Sequence, residues 1–96
     1  MPFQLNLPMH YTYVLQSAKD GRWYTGATKD LRTRVGDHPK GRVESTRSRR
    51  PLRLIYYEAC LSDADAKRRE RYLKTGKGKR YLRQRLGVWF AESSPK

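Results

Sequence analysis

Tyr13, Tyr24, Arg34, His38 and Glu70 are side chains that could work together on a phosphodiester bond. Phenols and an imidazole exchange protons, a guanidinium forks onto phosphate oxygens, and a carboxylate can hold a hard cation. Their spacing lets them meet. Tyr13 and Tyr24 stand eleven positions apart (24 − 13), in Tyr11-Thr12-Tyr13 and Tyr24-Thr25-Gly26, with Asp20-Gly21 in the link between them. An Asp-Gly pair between runs of β-branched and aromatic residues signals a hairpin, which would bring the two phenols close together on one sheet.

Such a set needs elements to position it. His10 to Gln16 alternates aromatic and aliphatic residues as a strand does, and Arg22 to Ala27 is its hairpin partner. Thr28 or Asp30 offers a helix N-cap, followed by Leu31, Arg34, Val35 and His38 at i, i+3, i+4 and i+7; Pro39 and Gly41 stop that helix. Lys40 to Pro51 is basic and polar and reads as a surface loop, whereas Leu52 to Ala59 is the most continuous apolar stretch and reads as a central strand buried on both faces. Ser62 with Asp65 resembles a capping box that opens a helix running to Lys74 and ending at Gly76. Lys79 to Leu86 forms a last short helix, with Leu82 and Leu86 inward and Trp89 packing beyond it. The predicted fold is α/β (α+β): a small, three-stranded, mainly antiparallel sheet flanked by helices in the order β-β-α-β-α-α. It occupies residues 10–90, between a flexible N-terminal arm (1–9) and a frayed tail (91–96).

Charge indicates the partner. The 96 residues hold 22 Lys and Arg against 9 Asp and Glu, a net +13. A small domain this basic implies a polyanion, nucleic acid first, although a purely solubilising charge is the plain alternative. The mean hydropathy of −0.99 would suit a disordered chain, but 11% aromatic residues and clear periodicity argue for a folded one. Cys60 is the single cysteine, so neither an intrachain disulfide nor a cysteine metal cluster can form. The first nine residues contain two prolines and no continuous apolar run, so neither a signal peptide nor a membrane span is expected there, and the default location is the cytoplasm.

The acid for a metal-assisted hydrolase can be sought among the nine present. Asp20 belongs to the turn, Asp30 can cap a helix, and Asp63 and Asp65 suit a helix first turn. Asp37 and Glu44 lie in polar settings and Glu92 in the tail, which leaves Glu70 and, as a weaker choice, Glu58. Glu70 shares a helical face with Ala66 and Leu73, pointing along the stripe that meets the sheet; the competing possibility is an ion pair with Lys67 or Lys74. Arg34 and His38 stack four apart, either as solvated surface groups or as a phosphate fork with a proton acceptor beside it. Tyr13, Tyr24, Tyr56 and Tyr57 are individually ordinary packing residues, and it is the ordered set that points to chemistry. Arg42, Arg47, Arg49 and Arg50, four arginines in nine positions, suit either solvation or phosphate contact.

Taken in order, these segments closely resemble the GIY-YIG nuclease superfamily, in particular its small stand-alone members. Tyr11-Thr12-Tyr13 and Tyr24-Thr25-Gly26 stand at the separation of the naming motifs. The stretch Tyr24 to Arg34 with His38, the run Arg49-Arg50-Pro51-Leu52 into Leu54-Ile55-Tyr56, and Ala66 to Lys74 around Glu70 complete the resemblance over Tyr11 to Leu86. The resemblance implies a metal-dependent endonuclease in which Glu70 holds a single Mg²⁺ or Mn²⁺, Arg34 positions the phosphate, and Tyr13 activates the attacking water. Tyr24 and His38 support the proton network, and the products carry a 5′-phosphate and a 3′-hydroxyl. Arg34, the metal and the positive field are expected to lower the Tyr13 pKa. Arg42, Arg47, Arg49, Arg50 and Lys74 are the expected nucleic-acid contacts. DNA is expected over RNA, with structure-selective cutting of branched, nicked or damaged substrates as in repair, and with a protein partner able to supply targeting. The alternatives are a basic nucleic-acid-binding module of the same fold without hydrolysis, and a protein adaptor.

Overall fold

A computed structural model describes residues 7–93 of the chain. Residues 1–6 of the expected arm and 94–96 of the expected tail lie outside the described residues. In chain order the elements are β1 (His10–Ser17), β2 (Trp23–Thr28), α1 (Leu31–Asp37), α2 (Glu44–Arg47), β3 (Leu52–Cys60), α3 (Asp63–Leu73), α4 (Gly76–Arg85) and α5 (Gly87–Ser93). Three antiparallel strands form one sheet in the order β2-β1-β3. The predicted α/β architecture is therefore present, with two short helices, α2 and α5, added to the expected order.

The hairpin closes where Asp20-Gly21 marks it. Gly21 takes a φ of 73°, a left-handed conformation that glycine adopts without Cβ strain. Asp20 Oδ1 accepts the Arg22 backbone N–H at 2.9 Å, and the Gly21 N–H donates to the Ser17 carbonyl at 2.8 Å. α1 starts at Asp30, whose Oδ1 accepts from the Thr33 N–H at 3.2 Å. α3 starts at Ser62, whose Oγ accepts from the Asp65 N–H at 3.2 Å.

The central strand is β1, not the Leu52 to Ala59 stretch, which lies at the sheet edge with Leu54 and Tyr57 exposed. A register shift explains the misleading run of apolar residues. Val14 pairs with Tyr56 but Leu15 with Leu54, so Ile55 is an extra residue and both Ile55 and Tyr56 reach the same core. That core consists of Val14, Leu73 and Leu82, with Trp23, Ile55, Tyr56 and Leu86 packed against it. Thr12 Oγ1 donates to the Ala66 carbonyl at 2.8 Å and docks α3 on the same face. Successive strand residues face opposite sides, so Tyr13 projects from the other face, towards α1.

α4 begins at Gly76, three residues before the expected Lys79. Thr75 Oγ1 accepts the Gly78 N–H at 3.1 Å while donating to the Tyr72 carbonyl at 2.6 Å, so one hydroxyl ends α3 and starts α4. The Ala91–Ser93 part of the expected tail is helical in α5, where Phe90 stacks on Trp23 with ring centroids 5.8 Å apart. Cys60 is half-buried, its thiol donating to the Ser62 carbonyl at 3.3 Å.

Candidate active site

Tyr13 sits on the middle strand and is 1% exposed. Its partner across the hairpin is Gly26, and the ring lies directly over that glycine: a Cβ there would come within 2.5 Å of the Tyr13 hydroxyl oxygen. The glycine of the Tyr24-Thr25-Gly26 motif thus makes room for the phenol of the other motif. Tyr24 pairs with Leu15, two residues along and on the same face, and its ring centroid stands 6.4 Å from that of Tyr13.

His38 caps the C-terminal end of α1 and is fully buried. Its Nε2 lies 2.8 Å from the Tyr13 hydroxyl, and its ring centroid is 4.8 Å from that of Tyr24. Its Nδ1 lies 2.8 Å from Thr46 Oγ1, also fully buried, and the Thr46 hydroxyl stands 3.4 Å from the Val43 carbonyl. When Thr46 gives its proton to Val43 and accepts one from Nδ1–H, Nε2 is left as an acceptor for the Tyr13 O–H. Sequence reasoning missed Thr46. Lys40 to Pro51 is not wholly a surface loop, because Val43 and Thr46 are buried and the short helix α2, capped by Val43 and containing Thr46, forms within it. The only hint was a β-branched residue among polar ones, and no periodicity marks it.

Arg34, four residues before His38 on α1, faces both phenols. It acts on Tyr13 by hydrogen bonding and by charge, and the nearby phenols in turn raise its own pKa. The Tyr13 phenol nevertheless sits above its ordinary pKa. Burial raises it most, the neighbouring Tyr24 and Glu70 push the same way, and Arg34 opposes them without prevailing. The expected lowering of the Tyr13 pKa is thus corrected for the groups of the protein itself, because desolvation outweighs the guanidinium. His38 moves down, first by burial and then by the Arg34 charge, with Asp37 opposing. At neutral pH the pair is a neutral phenol hydrogen-bonded to a neutral imidazole.

Glu70 lies on α3 with its side chain 23% exposed, close enough for its charge to act on Tyr13. Lys74 Nζ holds its Oε2 at 3.1 Å, so the competing ion pair is present too. Glu58 is occupied elsewhere, accepting from Arg69 Nε at 2.9 Å and from the Tyr56 hydroxyl at 3.0 Å on the edge strand β3. No group of three or more His, Cys, Asp or Glu among the described residues could hold a metal. A lone half-buried carboxylate beside a phenol suits Mg²⁺ or Mn²⁺, since Mg²⁺ keeps several waters and takes phosphate oxygens as ligands. It would not suit an ion that needs an all-protein cage.

Of the expected nucleic-acid contacts, Arg42, Arg47 and Arg50 gather around Gly41, while Arg49 and Lys74 lie elsewhere. Arg42 pairs with Asp37 at 3.4 Å, Arg47 Nε donates to the Gly41 carbonyl at 2.9 Å, and Arg50 Nε donates to the Arg47 carbonyl at 2.9 Å. These contacts shape the loop. Arg49 turns to the closed end of the hairpin, and Lys74 sits on Glu70. No helix among the described residues is long and apolar enough to cross a membrane.

A family model described as the GIY-YIG catalytic domain matches residues 9–85. A UPF0213 protein of Staphylococcus haemolyticus is 39% identical over 67 residues, covering 69% of this chain and 80% of the relative. A UPF0213 protein of Bacillus pumilus is 42% identical over 67 residues, covering 69% of this chain and 67% of the relative. Among solved structures, the solution NMR structure of a UPF0213 protein from Bacillus halodurans is 39% identical. It covers 77% of this chain and 81% of that one, with a TM-score of 0.49.

Proposed function

Because this chain belongs to the GIY-YIG catalytic-domain family, we propose that it is a divalent-metal-dependent endonuclease that hydrolyses DNA phosphodiesters in the cytoplasm, selecting substrate shape rather than sequence. One observation carries this reading: His38 Nε2, the Arg34 guanidinium and the Glu70 charge all act on the Tyr13 phenol, which is itself buried. Branched, nicked or damaged duplexes are the substrates it favours, as in repair. A protein partner would supply any targeting.

In this scheme Arg34 forks onto the phosphate and offsets the charge that builds on its oxygens. The Tyr13 oxygen takes a proton from water while its own proton passes to His38 Nε2, which is free to accept it because burial keeps the imidazole neutral. The water oxygen bonds to phosphorus, the bond to the 3′-oxygen breaks, and that oxygen takes a proton from solvent. A 5′-phosphate and a 3′-hydroxyl remain. Thr46 holds the His38 ring in the tautomer this transfer needs, and Tyr24 packs against both rings. Glu70 would hold Mg²⁺ or Mn²⁺, which when bound supplies positive charge to the phosphate.

The Lys74–Glu70 contact at 3.1 Å favours a second reading, in which the fold binds nucleic acid without cutting it. Glu70→Gln separates the two. The nuclease reading expects Mg²⁺-dependent nicking of plasmid DNA to vanish while duplex affinity stays at the wild-type value. Equal activity, or equal inertness, of the two proteins would refute it.

A further inference from the structure

A second charged site lies at the closed end of the hairpin. Arg22 and Trp23 at the start of β2, Arg49 after α2, and Lys79 and Arg83 on α4 line a cleft of about 520 Å³, with Asp20 beside them. Four cations against one acid leave it at net +3 (4 − 1). Asp20 is committed to the turn, where the Arg22 N–H holds its carboxyl below the usual range. Among the described residues, no carboxylate forms an ion pair with any of the four cations.

The site is built rather than merely exposed. Lys79 and Arg83 stand four apart on one face of α4. Arg83 lies 4.9 Å from the Trp23 ring centroid, and Trp23 stacks on Phe90 with an interplanar angle of 11°. Arg49 is fixed through its backbone, whose carbonyl accepts from the buried Ser17 hydroxyl at 2.5 Å. Like charges gathered from three parts of the chain repel one another, and a bound polyanion relieves that repulsion.

We infer that this cleft is a second phosphate-binding site, gripping the nucleic-acid backbone at the closed end of the hairpin, apart from the Tyr13 site, and so fixing the orientation of the substrate. The inference rests on the nuclease reading for its substrate. Two anchors at separate places on the fold would orient a bound strand.

The test is duplex affinity by fluorescence anisotropy over a salt series without divalent metal, so that cutting plays no part. Arg22→Ala/Lys79→Ala removes two phosphate contacts, and the log–log salt slope should fall by ~1.8 (two at ~0.9 each). Its affinity deficit should then narrow roughly twelvefold (4 to the power ~1.8) between about 50 and about 200 mM salt. Arg71→Ala/Arg85→Ala removes the same charge from exposed helix positions outside the cleft and should keep the wild-type slope. Equal slopes for the two double variants would overturn the cleft while leaving the nuclease reading standing. A wild-type protein with no affinity for nucleic acid would overturn both.

Discussion

Replacing Gly26 with alanine tests the geometry of the site most directly. The new Cβ would stand 2.5 Å from the Tyr13 hydroxyl oxygen, 2.6 Å from Cζ and 2.9 Å from Cε1, where ordinary contact begins at 3.4 Å. The ring must therefore retreat by about 0.9 Å (3.4 − 2.5). It is 1% exposed and hydrogen-bonded to His38 at 2.8 Å, so a shift of that size along the bond either breaks the contact or forces a clash. Overpacking costs ~1–3 kcal/mol, and a buried polar group left unpaired adds ~1–3 kcal/mol. The expected loss is thus ~2–6 kcal/mol from a total of ~5–14 kcal/mol for 96 residues at ~0.05–0.15 each. A displacement near 1 Å in a reacting group costs ~10²-fold in rate. Urea unfolding followed by circular dichroism gives the first number, and single-turnover nicking of the folded fraction gives the second. A variant within ~0.5 kcal/mol of wild type that nicks at the wild-type rate would show that the phenol is not held where we place it.

Thr46→Val keeps the shape of the side chain but leaves His38 Nδ1 without a partner. It should cost ~1–3 kcal/mol in urea unfolding and slow nicking, whereas Thr46→Ser should restore both; failure of serine to rescue would assign the effect to packing alone. Gly78→Ala places a Cβ 2.0 Å from the Tyr72 carbonyl oxygen and 2.7 Å from Leu73 Cα, both backbone atoms. Because the backbone must move, stability should fall by at least ~1–3 kcal/mol in thermal melts, and an unshifted melting temperature would contradict the close α3–α4 packing. The pH dependence follows from two shifts of opposite sign. His38 titrates below its unfolded value, so its contribution is complete above about pH 6.5 and declines as pH falls from there through the folded pKa. Tyr13 titrates above its unfolded value, so its contribution is complete below about pH 10 and declines as pH rises through the folded pKa. Urea midpoints across pH should therefore fall towards both ends, and a midpoint that rises between about pH 7 and about pH 5.5 would contradict the buried neutral imidazole.

The parts of the fold that were legible in sequence are those specified locally. Asp20-Gly21 dictates its own turn, Asp30 and Ser62 cap helices with their own side chains, and alternation in β1 needs no distant partner. Glu70 was singled out because only nine acids exist and most had a nearer task, and its charge does reach Tyr13. What escaped depends on contacts far along the chain. Thr46 is buried through its bond to His38, eight residues away. The edge position of β3 follows from a register shift at Ile55, which lets consecutive apolar residues mimic a strand covered on both sides. The sign of the Tyr13 shift needed the degree of burial, which composition cannot supply. α5 is tied down by Phe90 against Trp23, a contact across 67 residues of chain (90 − 23).

The Tyr13 phenol and its partners belong to regions of very different firmness. Tyr13 is laced into the sheet from both sides, whereas α1 has seven residues and no buried one, and α2 has four. Mild denaturant should loosen the helical side first, taking Arg34 and His38 out of alignment while the sheet still gives its full spectroscopic signal. Enzymatic failure would then precede unfolding, and the working limit of the molecule would be set by its least anchored turn rather than by its core.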